Sequence, residues 1–207
     1  MSKAYPSHGP APSRSAKCFR LLAFGGSAGG LVPLMQILSA LPPDFPIPIA
    51  VVQHLGATLR SRLPEVLGFR TRLRCSWAED GESPRAGCVH VAPPGRNLIL
   101  TERGTFGTLA SVKPHTGWPS VDVFLRSVAQ HIGPESIAVI LSGALWDGAE
   151  GITAVRRRGG ATMVQRPACA EHAGMPTAAI DLGRADLSLP LDQITLALSI
   201  LAERGVE

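Results

Sequence analysis

The strongest constraint on the fold is a ten-residue stretch, Leu21-Leu22-Ala23-Phe24-Gly25-Gly26-Ser27-Ala28-Gly29-Gly30, in which an apolar run breaks into glycines around one hydroxyl. The pattern is that of a buried strand, a tight turn and a helix start. Glycines on both sides of Ser27 accept backbone angles closed to other residues and leave no bulk between the hydroxyl and a ligand. Ser27 is therefore a candidate nucleophile. The helix that follows, over residues 29–40, would aim its free N–H groups and positive dipole end at the same place, which suits a developing oxyanion. The alternative is a structural turn in which Ser27 caps the helix.

The rest of the chain continues the alternation. Strands are expected at Phe19–Phe24, Pro46–Gln53, Leu73–Ala78, Cys88–Ala92, Ser136–Ser142, Ala161–Val164 and Asp186–Leu189. Helices are expected at Leu31–Leu41, Leu59–Phe69, Ser120–Ile132, Ala149–Arg158, Thr177–Leu182 and Leu191–Glu203, and Asn97–Thr101 with Thr105–Val112 reads as a hairpin closed through Gly104. Nearly continuous apolar runs such as Ile49 to Val52 suit parallel strands buried on both faces. The expected fold is α/β, a doubly wound and mainly parallel sheet with helices on both faces and a small antiparallel hairpin. A chain of 207 residues with 45% hydrophobic content can bury one such core over residues 18–207. Residues 1–17, rich in Pro, Ser, Gly and Ala, lack apolar periodicity and read as a disordered tail.

Composition removes several functional classes. A net charge of +4 comes from scattered arginines, so nucleic-acid binding is not indicated. No apolar run approaches the ~20 residues of a membrane span, and the first residues lack a signal-peptide core. Cys18, Cys75, Cys88 and Cys169 lie far apart without metal-type spacing, which fits free thiols and a cytoplasmic location. The six histidines form no metal motif, and the glycine turn lacks the lysine of a phosphate-binding loop. Neither a metal nor an organic cofactor is expected.

Ligands of doubly wound sheets bind beyond the carboxyl ends of the strands. Ser27 follows the first long apolar strand, His54 the second, and Asp147 lies just past the strand ending at Ser142. A serine hydroxyl needs an imidazole to take its proton, and the imidazole needs a carboxylate to hold its tautomer and stabilise its cation. All three residue types stand at one edge. Singly, His54 could be an ordinary loop residue and Asp147 the N-cap of the helix at Ala149.

Six motifs in order then resemble one family: Gly25 to Gly30, Gln53-His54, Val91-Ala92-Pro93-Pro94, Pro119-Ser120-Val121-Asp122, Leu141 to Ala149, and Gly174-Met175-Pro176. The chain resembles the catalytic domain of the CheB chemotaxis protein-glutamate methylesterases from about Phe19 to Leu201. The resemblance implies hydrolysis of glutamate γ-methyl esters on the cytoplasmic helices of methyl-accepting chemoreceptors, with deamidation of receptor glutamines as a second activity. It assigns Ser27 as nucleophile, His54 as general base and Asp147 as its partner. Backbone N–H groups near Ala28 and Ala144 would receive the oxyanion, and Gln53, Trp146 and Met175 would bind substrate.

Departures from the family pattern bear on the substrate more than on the triad. The family commonly has Gly-Met-Gly where Gly143-Ala144-Leu145-Trp146 stands, Thr in place of Ala28, a histidine in place of Asn97 and an arginine in place of Trp118. Typical members also carry an N-terminal phosphoacceptor receiver domain, which seventeen residues cannot form. The expectation is a stand-alone hydrolase, constitutively open or gated by a separate receiver-domain protein, in a chemosensory pathway other than flagellar chemotaxis. The competing expectations are a non-catalytic adaptor on receptor helices and a serine esterase or amidase with another substrate.

Overall fold

The five inner strands of the main sheet are apolar and almost wholly buried, and the chain between successive strands is long enough to return each one parallel. The computed structural model of the chain describes residues 18–55, 61–110, 119–183 and 185–203. In chain order the elements are β1 (Leu21–Gly26), α1 (Leu31–Ala40), β2 (Ile49–Gln53), α2 (Leu63–Gly68), β3 (Arg74–Trp77), β4 (Cys88–Val91), β5 (Arg96–Leu100), β6 (Phe106–Ala110), α3 (Val121–His131), β7 (Ser136–Ile140), α4 (Ala149–Arg157), β8 (Ala161–Gln165), α5 (Gly174–Asp181), β9 (Leu187–Leu189) and α6 (Leu191–Glu203). Seven parallel strands form one sheet in the order β3-β4-β2-β1-β7-β8-β9, and β5 and β6 make a separate antiparallel pair.

β1 shows how the strands divide two cores. Leu22 and Phe24 point to a layer filled by Leu34, Ile37 and Leu38 of α1, Leu63 and Leu67 of α2, and Ile194 and Leu198 of α6. Leu21 and Ala23 point to the other layer, filled by Val121, Phe124, Leu125 and Val128 of α3, Ile152 and Val155 of α4, and Met175 of α5, with Leu98, Leu100 and Phe106 of the hairpin. This is the period-2 alternation of a strand buried on both faces.

Boundaries differ from the sequence expectation where backbone donors or spacing decide. β1 runs on through Gly25 and Gly26, because both pair with neighbours, Gly26 with Gln53 and Gly25 with Ile140. β2 starts at Ile49 rather than Pro46, since Pro46 and Pro48 have no N–H for the ladder. The helix expected from Leu59 is formed over Leu63–Gly68, and residues 56–60 lie outside the described residues. The helix expected at Thr177 begins three residues earlier, at Gly174, and so includes Met175. The expected tail over residues 1–17, the end of the hairpin after Ala110 and the motif position Trp118 all lie outside the described residues. No helix among the described residues is long and apolar enough to cross a membrane.

The chain leaves β1 toward β2 on one side and reaches β7 on the other, so β1 and β7 flank the switch point of the sheet. A crevice at that point is where such sheets place ligands.

Candidate active site

The register of the sheet builds the site before any side chain is considered. Gly26 pairs with Gln53, so the next residues, Ser27 and His54, leave adjacent strand ends side by side. One backbone bond laces those ends together, His54 N–H to Gly26 O at 3.0 Å, and two more tie the end of β1 to the residues after β7, Ser27 N–H to Ser142 O at 3.0 Å and Leu141 N–H to Gly25 O at 2.8 Å. Ser27 Oγ lies 3.0 Å from His54 Nδ1, and His54 Nε2 lies 2.7 Å from Asp147 Oδ2. For Nδ1 to accept the serine proton, Nε2 must carry the other, and Asp147 selects that tautomer. The nearer ring nitrogen meets the serine because the two residues start from paired positions.

Glycine serves here mostly by being small. A Cβ on Gly25 would lie 2.4 Å from Val121 Cγ1, one on Gly26 2.8 Å from Gln53 Oε1, and one on Gly30 2.8 Å from Ser142 O. Only Gly29 of this turn has a positive φ, 69°, so space rather than conformational freedom explains the other three. α1 starts at Leu31 with Gly30 at its N-cap and no side-chain cap. Ser27 is therefore not a helix cap; its hydroxyl turns to His54 instead.

The carbonyls of the turn are held more fully than its amides. Gln53 Nε2 donates to Ser27 O at 2.6 Å, and Ser142 Oγ donates to Ala28 O at 2.9 Å while accepting from His172 N–H at 2.9 Å. Gln53 is thus a brace for the backbone of Ser27, and it is buried. Met175 is also fully buried, and a Cβ on Gly143 would meet its Sδ at 2.1 Å and Ser27 Cβ at 3.0 Å. It forms the floor beneath Ser27 and Gly143 and presents no surface. Trp146 is the one expected substrate-binding side chain that stands open, at 60% exposure. The N–H groups of Ala28 and Ala144 have no hydrogen-bond partner among the described residues, so both are free to donate to a ligand.

Asp147 departs from the simple capping expectation. The N-cap of α4 is Gly148, in left-handed conformation and without a side-chain bond. The carboxylate of Asp147 instead reaches the start of a different helix, α3: Oδ2 accepts from Val121 N–H at 2.8 Å, and Oδ1 from Asp122 N–H at 3.0 Å and Ser120 Oγ at 3.1 Å. Burial works against its charge, but the bonds from His54 and from the Asp122 and Val121 amides outweigh it and hold its pKa below the usual carboxylate value. It therefore stays ionised.

Ser120 and Asn97 are site residues without a role in the sequence reading. Asn97 Oδ1 accepts from Ser120 N–H at 2.8 Å, which ties the hairpin to the N-terminus of α3. Ser120 as an N-cap was legible from Pro119-Ser120 ahead of a helical pattern, but its bond to Asp147 crosses 27 residues. No group of three or more His, Cys, Asp or Glu side chains suited to a metal ion is found among the described residues.

A doubly wound sheet carrying a hydrogen-bonded serine, histidine and carboxylate at its switch point defines a narrow class of α/β proteins. The CheB methylesterase family model matches residues 22–198. A Burkholderia orbicola relative named protein-glutamate methylesterase/protein-glutamine glutaminase 3 is 40% identical over 90% of this chain, which spans only 54% of that protein. A Leptospira interrogans relative named as a putative enzyme of the same kind is 33% identical over 91% of this chain and 98% of its own length. The crystal structure of the Thermotoga maritima CheB methylesterase catalytic domain superposes with a TM-score of 0.83 at 34% identity, over 88% of this chain and 98% of that one. The chain belongs to the CheB methylesterase family.

Proposed function

We propose that the protein hydrolyses glutamate γ-methyl esters on the cytoplasmic helices of chemoreceptors and deamidates receptor glutamines by the same route. The observation that carries the reading is the continuous path from Ser27 Oγ through His54 to Asp147, with links of 3.0 and 2.7 Å. Ser27 Oγ attacks the ester carbonyl as its proton passes to His54 Nδ1, and the imidazolium is stabilised by Asp147. The Ala28 and Ala144 N–H groups receive the oxyanion, each contributing on the order of 3 kcal/mol to the barrier. His54 returns the proton to the departing methoxide as methanol. Water, deprotonated by His54, then cleaves the acyl-serine and frees the glutamate.

The test is methanol release from methylated receptor fragments by the wild type, Ser27→Ala and His54→Ala. The expected result is release by the wild type and a loss of several orders of magnitude in both variants. A second reading, a serine esterase for another substrate, is favoured by the exposed Leu145 and Trp146 beside the site. It is the outcome if a serine-directed phosphonate labels Ser27 while receptor fragments release no methanol. Absence of both labelling and release would leave a receptor-binding adaptor.

A further inference from the structure

Two carboxylates meet behind His54, and only one of them belongs to the triad. Asp122 occupies the first turn of α3, and its Oδ1 accepts from Gly151 N–H, in the first turn of α4, at 2.7 Å. Asp147, immediately before the N-cap of α4, accepts from the first two amides of α3. Each helix is thus capped by a carboxylate from the other's segment, and α4 has no cap of its own. The crossing needs close contact. A Cβ on Gly151 would lie 2.6 Å from Leu125 Cβ and 3.2 Å from Asp122 Oδ1, so only glycine lets α4 approach.

We propose that Asp122 is a positioning residue for the triad: it ties α4 to α3 so that Asp147 stays on His54, and it sets a second negative charge behind the imidazole. The inference rests on the hydrolase reading of Ser27, His54 and Asp147. The charged groups facing Asp122 are Asp147, which opposes its ionisation, and Arg126 of its own helix, which favours it; Arg126 is itself paired with Glu150 of α4. Burial first, and then the Asp147 charge, push the Asp122 pKa up to about 6. Asp122 therefore gains its charge within the working range of an imidazole base. Once ionised, it stabilises the positive charge that the imidazole takes on as it accepts the serine proton, so the acid limb of the rate carries the titration of Asp122.

The experiment follows the rate at which a serine-directed phosphonate labels Ser27, from pH 5 to 9, in the wild type, Asp122→Asn and Asp122→Ala, alongside KM and kcat on a small aryl ester. Asn keeps an oxygen for Gly151 N–H but removes the charge. Its acid limb is expected to move several tenths of a pH unit lower, with plateau kcat within about threefold of wild type and KM unchanged. Ala loses the tie as well, and kcat is expected to fall about tenfold or more at unchanged KM. An unshifted acid limb in Asp122→Asn, or Ala behaving like Asn, overturns the proposal while leaving the hydrolase standing. A wild type that never labels at Ser27 overturns the hydrolase reading, and the inference with it.

Discussion

Two loops supply the free amides of the site, and they are built in opposite ways. The turn from Gly26 to Gly30 is pinned on both sides: Gly26, Ser27 and Ala28 each have their carbonyl bonded, and buried Gln53 and Ser142 do the holding. The loop from Gly143 to Gly148 is held mainly at its ends, with one further bond from Ala149 N–H to Trp146 O at 3.1 Å. Gly143 N–H donates to His172 O at 3.0 Å and Met175 N–H to Gly143 O at 2.8 Å, while Asp147 is bound to α3. Between them Leu145 is 64% exposed at a φ of 64°, the one positive value outside glycine among the described residues. Gly174 packs against it so closely that a Cβ there would lie 2.7 Å from Leu145 N. Ser27 is held by relaxed geometry on a densely bonded turn, and the strain is stored at the exposed lip.

The largest effect that would break this contrast lies at the anchored end of the second loop. Asp147→Asn should lower kcat/KM by about 10³–10⁴-fold, because the imidazole loses its tautomer and its counter-charge. Retained activity within about tenfold, with circular dichroism unchanged, would reduce Asp147 to a cap for α3.

Gly25→Ala tests the density of the first loop. The new methyl must displace Val121, at a cost of about 1–3 kcal/mol, and a shift of Ser27 should cost about a hundredfold in rate. Adding Val121→Ala should recover part of both losses, measured by urea unfolding and ester hydrolysis in a double-mutant cycle.

The strain at Leu145 predicts a smaller, opposite effect. Leu145→Gly should be more stable than Leu145→Ala by about 1 kcal/mol, since only glycine escapes the left-handed penalty. Equal stability would mean that the loop relaxes freely. Both variants should raise KM for receptor-sized substrates more than for a small aryl ester.

The subtlest prediction concerns acid. Asp122, raised to about 6, takes up its proton earlier in the folded state than the usual 3.8, so it adds stability as pH falls through that interval. His90, fully buried on β4, works in reverse. Its Nε2 accepts from Arg85 N–H at 3.2 Å, and its Nδ1 lies 3.4 Å from Glu82 Oε2 without hydrogen-bond geometry. Burial above all, helped by Arg85 and opposed by Glu82, lowers its pKa from 6.5, so the unfolded chain binds the proton first and stability falls as pH drops below 6.5. The two slopes oppose in the wild type. Asp122→Asn removes one of them and should lose stability more steeply between pH 6.5 and 5 in urea titrations, while being more stable than wild type at pH 8. Parallel wild-type and variant curves would contradict the raised Asp122 value.

Much of the site was legible because it sits at strand ends. Apolar runs announce buried parallel strands, and the residues following three of them share one edge by the geometry of the sheet. That reasoning placed Ser27, His54 and Asp147 together and assigned the α/β class. It did not reach the packing of the neighbours: that Gln53 braces the Ser27 carbonyl and that Met175 is buried against Gly143 depend on which side of a strand end faces the crevice, which a linear motif does not say.

What the sequence determined alone was therefore periodic or local: strand and helix order, the parallel sheet, and the edge on which the hydroxyl, imidazole and carboxylate stand. What only the tertiary structure decided was pairwise and distant. Asp147 caps α3 rather than the helix that follows it, Asp122 reaches across to α4, and Gly25 is small because Val121, 96 residues later, occupies its space. Hydrogen bonds and close packing act over a few ångströms, and the chain brings those groups within reach only after the sheet has set their register.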